Sequence, residues 1–127
     1  MQIHASNPQE KIEAFQGYLD TFNAALAAHA EEFPYKQLVR GGEAYYGGDN
    51  IGVAVYKHDP AKPHDFHTIK IEDGAFRYVG HGKVDARVDF RTSEKRLVEV
   101  AENPEPFIED PSRLELGWLE RKLGIRR

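Results

Sequence analysis

The stretch that decides the fold is residues 69–78, which read IKIEDGAFRY. Asp73-Gly74 favours a two-residue turn that joins two antiparallel strands into a hairpin. Pairing outward from this turn places Ile71 opposite Phe76, and a slip of one residue would mix apolar and charged side chains on both faces. The apolar face then carries Ile69, Ile71, Phe76 and Tyr78. The sequence therefore predicts a hairpin with one buried face and a fixed register.

Further strands are predicted on both sides of this hairpin. In the segment 84–91, Val88 and Phe90 share an apolar face, whereas Asp89 lies on the charged reverse. Such alternation is typical of a sheet that is covered on one side only. Gly41-Gly42 is interpreted as a turn before the first of these strands. Besides the hairpin, strands are predicted at residues 43–46, 51–56, 84–91 and 113–116. We expect these segments to supply an antiparallel sheet of about five strands.

A long amphipathic helix is predicted before the sheet. Asn7 suits the cap position and Pro8 the first helical position, while Pro34 disfavours helical geometry at Phe33 and should end the helix there. Apolar side chains recur at spacings of three and four, as in Ile12, Phe15, Leu19, Phe22 and Leu26. We expect this stripe to pack on the sheet; the alternative is that it joins two copies of the chain in a homodimer.

Short helices are predicted after the sheet. Thr92 or Ser93 caps a helix that ends before Asn103-Pro104, and a last helical segment covers residues 118–123. The predicted fold is thus α+β, with residues 1–127 in a single domain and the C-terminal helices covering one face of the sheet.

Composition excludes several functional classes. The chain has 127 residues, a net charge of −4 and no cysteine. A modestly acidic chain lacks the basic face that nucleic-acid binding requires, and the absence of cysteine excludes disulfides and thiolate metal sites. We find no signal peptide or membrane-spanning run, so we expect a cytoplasmic protein.

The titratable residues form no recognisable catalytic motif. His58, His64 and His67 lie close together beside Asp59 and Asp65, but prolines break this segment and no rigid element is predicted to hold metal ligands. We therefore expect no metal site there and place His67 in the core or at a pocket edge. The paired carboxylates lie at ends and turns, and neither a nucleophile elbow nor a phosphate-binding glycine pattern occurs. The sequence indicates no catalytic residue and no cofactor.

Three stretches resemble a known family in their order and spacing. Residues 67–76, 84–93 and 103–117 resemble the hairpin, the alternating strand and the C-terminal segment of the sterol carrier protein 2 family of lipid-transfer domains. The resemblance covers about half of the chain, and Pro111-Ser112 stands where the family usually has a glycine. It implies an apolar tunnel between sheet and helices for a fatty-acyl, isoprenoid or sterol-like ligand. The residues expected to line it are Phe22, Leu26, Ile69, Ile71, Phe76, Tyr78, Val88, Phe90, Phe107, Trp118, Leu119 and Leu123.

The C-terminal segment is expected to act as a lid over this tunnel. Its basic residues would meet anionic headgroups during transient contact with a membrane surface; these are Arg121, Lys122, Arg126 and Arg127. Two other functions stay open. One is a small cone-shaped enzyme of the ketosteroid-isomerase type, which needs an acidic residue inside its pocket, whereas the pattern puts Asp85 and Asp89 outside. The other is a non-catalytic module that dimerises through the helix stripe.

Overall fold

The fold is α+β, as the sequence predicts, in a computed structural model that describes residues 8–82 and 87–125. In chain order the elements are α1 (Pro8–Ala28), α2 (Tyr35–Tyr46), β1 (Ile51–Tyr56), β2 (Asp65–Glu72), β3 (Ala75–His81), β4 (Val88–Ser93), α3 (Glu94–Glu102), α4 (Glu105–Glu109), a 3₁₀ turn (Pro111–Arg113) and α5 (Gly117–Leu123). Asn7 and residues 84–86, which belong to the predicted helix cap and the predicted alternating strand, lie outside the described residues.

Helix α1 buries the predicted apolar stripe. Phe15 and Phe22 are almost fully buried, and the helix packs against β3, α3 and α4. It ends at Ala28 rather than at Phe33. After the helix end, His29 Nε2 lies 2.9 Å from the Ile108 carbonyl of α4, and Phe33 is exposed.

Two predictions for residues 41–46 are wrong, because this segment belongs to helix α2. Residues 43–46 are not a strand, and Gly41-Gly42 is not a turn, because both lie inside this helix. The glycines permit close packing instead: a Cβ on Gly41 would lie 2.9 Å from Leu123, and one on Gly42 would lie 2.8 Å from Ile71. The tertiary contacts therefore outweigh the low helix propensity of glycine.

The sheet is mixed and, within the described residues, has four strands in the order β3-β2-β1-β4. The expectation of an antiparallel sheet of about five strands is wrong, because β4 runs parallel to β1. After β3 the chain passes to the opposite edge of the sheet, where β4 pairs with β1 and runs parallel to it. The hairpin of β2 and β3 has the predicted register, including Ile71 opposite Phe76 and Ile69 opposite Tyr78.

The predicted strand at residues 113–116 is also wrong. Pro111–Arg113 forms a 3₁₀ turn, in which the Asp110 carboxylate accepts a hydrogen bond from the Ser112 backbone N–H at 3.2 Å. Leu114 and Leu116 are both buried, so the apolar alternation of the sequence is real. Both leucines pack into the core, so their burial does not require a partner strand.

The remaining helices cover the core. Ser93 caps α3, as predicted, by accepting a hydrogen bond from the Arg96 backbone N–H at 3.0 Å. Helices α3 and α4 pack on α1, whereas α5 packs on α2. Across residues 8–82 and 87–125, no helix has the length and apolar character needed to cross a membrane.

Candidate functional site

The layer between sheet and helices, where the ligand residues were predicted, is filled by side chains. Nine of the twelve predicted residues are buried, and Tyr78, Val88 and Leu123 are half-buried. The void between Leu26 and Ile71 has a volume of only about 10 Å³, far below the roughly 300–1,000 Å³ of small-molecule sites. The guanidinium groups of Arg96 and Arg113 lie 5.0 and 5.3 Å from the centroid of the Phe107 ring.

A larger space lies at the sheet edge, between β4 and α5, and we name it the β4–α5 cleft. Its volume is about 460 Å³. Its lining residues are Val88, Asp89, Phe90, Arg91, Glu115, Gly117, Trp118 and Arg121. Three of the predicted ligand residues therefore meet here, and the rings of Phe90 and Trp118 stack at 5.2 Å with an angle of 13° between their planes.

A β-bulge shapes one wall of this cleft. Val88 pairs with Gly52 and Phe90 pairs with Val53, so the intervening Asp89 has no partner on β1. A bulge interrupts the alternation of faces and redirects a side chain. The expectation that Asp89 lies on a wet outer face is therefore wrong, because only 6% of its side chain is exposed.

Asp89 is held by three neighbouring groups. Its carboxylate lies 2.9 Å from Arg87 Nε and 3.3 Å from Lys122 Nζ, and it accepts a hydrogen bond from the Tyr46 hydroxyl at 2.8 Å. Burial alone would raise the pKa of Asp89, but these partners outweigh burial and lower it. Asp89 is thus an ionised structural group that forms an ion pair with Lys122. Arg126 and Arg127 lie outside the described residues.

Glu115 is the second carboxylate in the lining. It accepts hydrogen bonds from the Tyr18 hydroxyl at 3.0 Å and from the Thr92 hydroxyl at 2.6 Å. Burial and the nearby Glu115 charge raise the pKa of Tyr18 well above its usual value, so this phenol stays protonated and donates. Glu115 is therefore occupied in joining α1 to β4.

The two arginines of the cleft lie in a different environment from its two carboxylates, Asp89 and Glu115. Arg91 and Arg121 are exposed, and within the described part of the chain neither forms an ion pair with a carboxylate. Arg91 donates a hydrogen bond to the Pro60 carbonyl at 3.2 Å. Among residues 8–82 and 87–125, the buried Trp118 Nε1 finds no hydrogen-bond partner. The cleft thus combines an aromatic wall with two exposed guanidinium groups that no described carboxylate neutralises.

A second polar group lies on the opposite half of the sheet, and we name it the Asp65 cluster: Asp65, His67, Tyr78 and His81. The Asp65 carboxylate is 3.2 Å from His67 Nε2 and 2.8 Å from His81 Nε2. The Tyr78 hydroxyl is 3.0 Å from His67 Nδ1. The assumption that no rigid element holds Asp65 and His67 is wrong, because both lie on β2. Tyr78 and His81 lie on the neighbouring strand β3.

Burial and hydrogen bonding set the charges of this cluster. Burial lowers the pKa of His67, although the nearby Asp65 raises it in part, so the imidazole is neutral at neutral pH. Burial raises the pKa of Asp65, but hydrogen bonds from His67 and His81 outweigh it and bring the pKa to about 2. Burial raises the pKa of Tyr78 to about 12. The cluster therefore carries an ionised carboxylate beside a neutral, buried imidazole.

The lowered pKa of His67 predicts a loss of stability in mild acid. Because the unfolded chain binds this proton more readily than the folded one, the free energy of unfolding falls as pH drops below about 6.5, by at most about 1.4 kcal/mol per pH unit from this group. We expect His67→Gln to show a shallower fall between pH 7 and pH 5 in urea unfolding with a chelator present. His58→Gln, in the exposed loop, is the control and should keep the wild-type slope; equal slopes in all three proteins would contradict the assignment.

No relative of known function assigns a role to the β4–α5 cleft or to the Asp65 cluster. The resemblance to the sterol carrier protein 2 family therefore stays a prediction. This chain matches no known protein-family model, no curated protein and no solved structure.

Proposed function

We propose that this protein binds an amphipathic small molecule of the fatty-acyl class in the β4–α5 cleft. The observation that carries the proposal is the cleft itself, whose volume of about 460 Å³ lies in the usual range for small-molecule sites, about 300–1,000 Å³. The apolar part of the ligand lies against Val88, Phe90 and Trp118. Its anionic group lies toward Arg91 and Arg121.

The charges of the cleft favour a fatty-acyl ligand over the other hydrophobic classes. Guanidinium groups bind carboxylates and phosphates through paired hydrogen bonds, and such charge-assisted bonds are roughly twice as strong as neutral ones. Sterols and isoprenoid hydrocarbons offer no anion to Arg91 and Arg121. The carboxylates of the lining do not compete, because Asp89 and Glu115 already have partners.

Helix α5 forms a wall of this site rather than a detachable lid. Trp118 and Leu119 are buried in the core, and Leu123 packs against Gly41. Removing the segment would therefore unfold part of the core as well as the cleft. Substitutions at the exposed arginines test binding without this complication.

We expect the double substitution Arg91→Ala with Arg121→Ala to weaken dodecanoate binding at least tenfold, which corresponds to about 1.4 kcal/mol. The loss follows from removing both anion-binding groups while the aromatic wall stays in place. Binding is measured by the emission of Trp118, the only tryptophan of the chain. The matched control is Arg77→Ala, an exposed arginine on β3 at the opposite edge of the sheet, which should bind as the wild type does.

Dodecanol, which has the same chain and no charge, provides the second comparison. The wild type should bind it at least tenfold more weakly than dodecanoate, and the double variant should bind both alike. If the wild type binds neither compound, or if Arg77→Ala weakens binding as much as the double variant does, the proposed site is wrong.

A further inference from the structure

The backbone of the β2–β3 hairpin brings three metal-ligating side chains to one point. Asp65 and His67 are two residues apart on β2 and therefore share a face. His81 lies directly across from His67 in the pairing with β3. One ligand atom from each residue can be chosen so that all three lie within 4.8 Å of one another.

A second β-bulge is responsible for the position of His81. Tyr78 pairs with Ile69 and Gly80 pairs with Thr68, so Val79 is an extra residue without a partner on β2. Regular alternation from Tyr78 would turn His81 to the opposite face; the extra residue turns it to the face of His67. Val79 is exposed, although it is a large apolar residue. The irregular backbone thus assembles the cluster.

We propose that Asp65, His67 and His81 bind a divalent transition-metal ion of the Zn²⁺ type. Two ligands of a tetrahedral zinc ion, each about 2 Å from the metal, are about 3.4 Å apart. Asp65 Oδ2 lies 3.2 Å from His67 Nε2 and Asp65 Oδ1 lies 2.8 Å from His81 Nε2, distances close to this spacing. Two imidazoles and one carboxylate favour zinc and its neighbours in the transition series over Mg²⁺ and Ca²⁺, which prefer oxygen ligands.

The surroundings hold His67 in the orientation that metal binding requires. Its ring stacks on Phe15 with the centroids 4.1 Å apart and an angle of 7° between the planes. Its Nδ1 contacts the Tyr78 hydroxyl, which can donate or accept. The neutral His67 ring can carry its single proton on Nδ1 and donate it to the Tyr78 oxygen, which leaves the lone pair of Nε2 available to bind a metal. Partners of this kind orient metal-bound histidines in proteins generally.

A small cavity beside two of the three proposed ligands provides space for a fourth. Its volume is about 30 Å³, and it is lined by Asp65 and His67 together with Lys11, His64 and Glu94, but not by His81. This volume holds one water molecule. Three protein ligands with one position for water is the arrangement that distinguishes reactive zinc sites from closed structural ones.

The test is calorimetric titration of the full chain, stripped with EDTA, with zinc sulfate. We expect one zinc ion per chain, and a loss of affinity of at least 100-fold in His81→Ala. Asp65→Asn keeps the shape of the carboxylate and should weaken binding at least tenfold. Tyr78→Phe removes only the partner of His67, and the usual effect of such a change is 10- to 100-fold. The matched control is His58→Ala, in the exposed loop, which should bind as the wild type does.

Circular dichroism and thermal melting establish that each variant is folded, so that a lost ligand is distinguished from a lost fold. Cobalt absorption provides an independent readout, because the intense visible bands of tetrahedral Co²⁺ should appear in the wild type and be absent in His81→Ala. Three outcomes would overturn the proposal: no zinc binding at millimolar concentration, unchanged binding in both His81→Ala and Asp65→Asn, or an equal loss in His58→Ala. In the first case, Asp65 serves only to hydrogen-bond the two histidines.

Discussion

Phe22→Ala should lower the free energy of unfolding by about 3–5 kcal/mol, the usual cost of removing a buried phenylalanine side chain. Phe22 is 2% exposed and lies where α1 meets both halves of the sheet. Its ring contacts Phe76 of β3 edge-on, with the centroids 5.8 Å apart, and Phe90 of β4 at 6.3 Å. The substitution therefore removes apolar contacts with two strands at once and leaves a cavity between them. Urea unfolding at neutral pH measures the loss.

The matched control is Phe33→Ala, because Phe33 follows α1 and is 59% exposed. The same change of side chain should cost less than about 0.5 kcal/mol there, as is usual for surface positions. Similar losses at the two positions, or a loss below about 1 kcal/mol at Phe22, would show that the stripe of α1 does not face the core.

The sequence predicts the regular parts of this fold because their local signals and their tertiary contacts agree. The three- and four-residue spacing of α1 and the Asp73-Gly74 turn specify a buried helix face and a hairpin register, and both are confirmed. The helical glycines of α2 show the opposite situation. Locally, Gly41-Gly42 favours a turn, but only the folded structure shows that Leu123 and Ile71 approach the helix at these positions.

The irregular parts decide the candidate sites, and the sequence does not reveal them. The bulge at Val79 directs His81 toward His67, and the bulge at Asp89 directs that carboxylate toward Tyr46 and Lys122. A strict period of two assigns both side chains to the wrong face. The one available signal was Gly80 and Gly82 on either side of His81, since glycine within a strand pattern often marks a bulge.

The second large loss of stability is expected on substitution of Asn23, whose side chain joins α1 to the exposed sheet edge at β3. Strand β3 is an edge strand, so its outward backbone groups have no partner strand. The Asn23 amide supplies one: its Nδ2 donates to the Phe76 carbonyl at 2.9 Å, and its Oδ1 accepts from the Phe76 N–H at 2.8 Å. The side chain thus replaces the next strand at this position.

We expect Asn23→Ala to lower the free energy of unfolding by about 2–3 kcal/mol, because it removes the partners of two backbone groups at once. Gln16→Ala, at an exposed position of the same helix, should change stability by less than about 0.5 kcal/mol. Asn23→Asp separates the two hydrogen bonds. Its carboxylate still accepts from the Phe76 N–H but faces the Phe76 carbonyl without a proton to donate. This variant should therefore be destabilised at pH 7 and regain part of its stability relative to the wild type at pH 4, where the carboxyl group gains a proton. If the difference from the wild type is the same at both pH values, the donated hydrogen bond contributes nothing to holding α1 on β3.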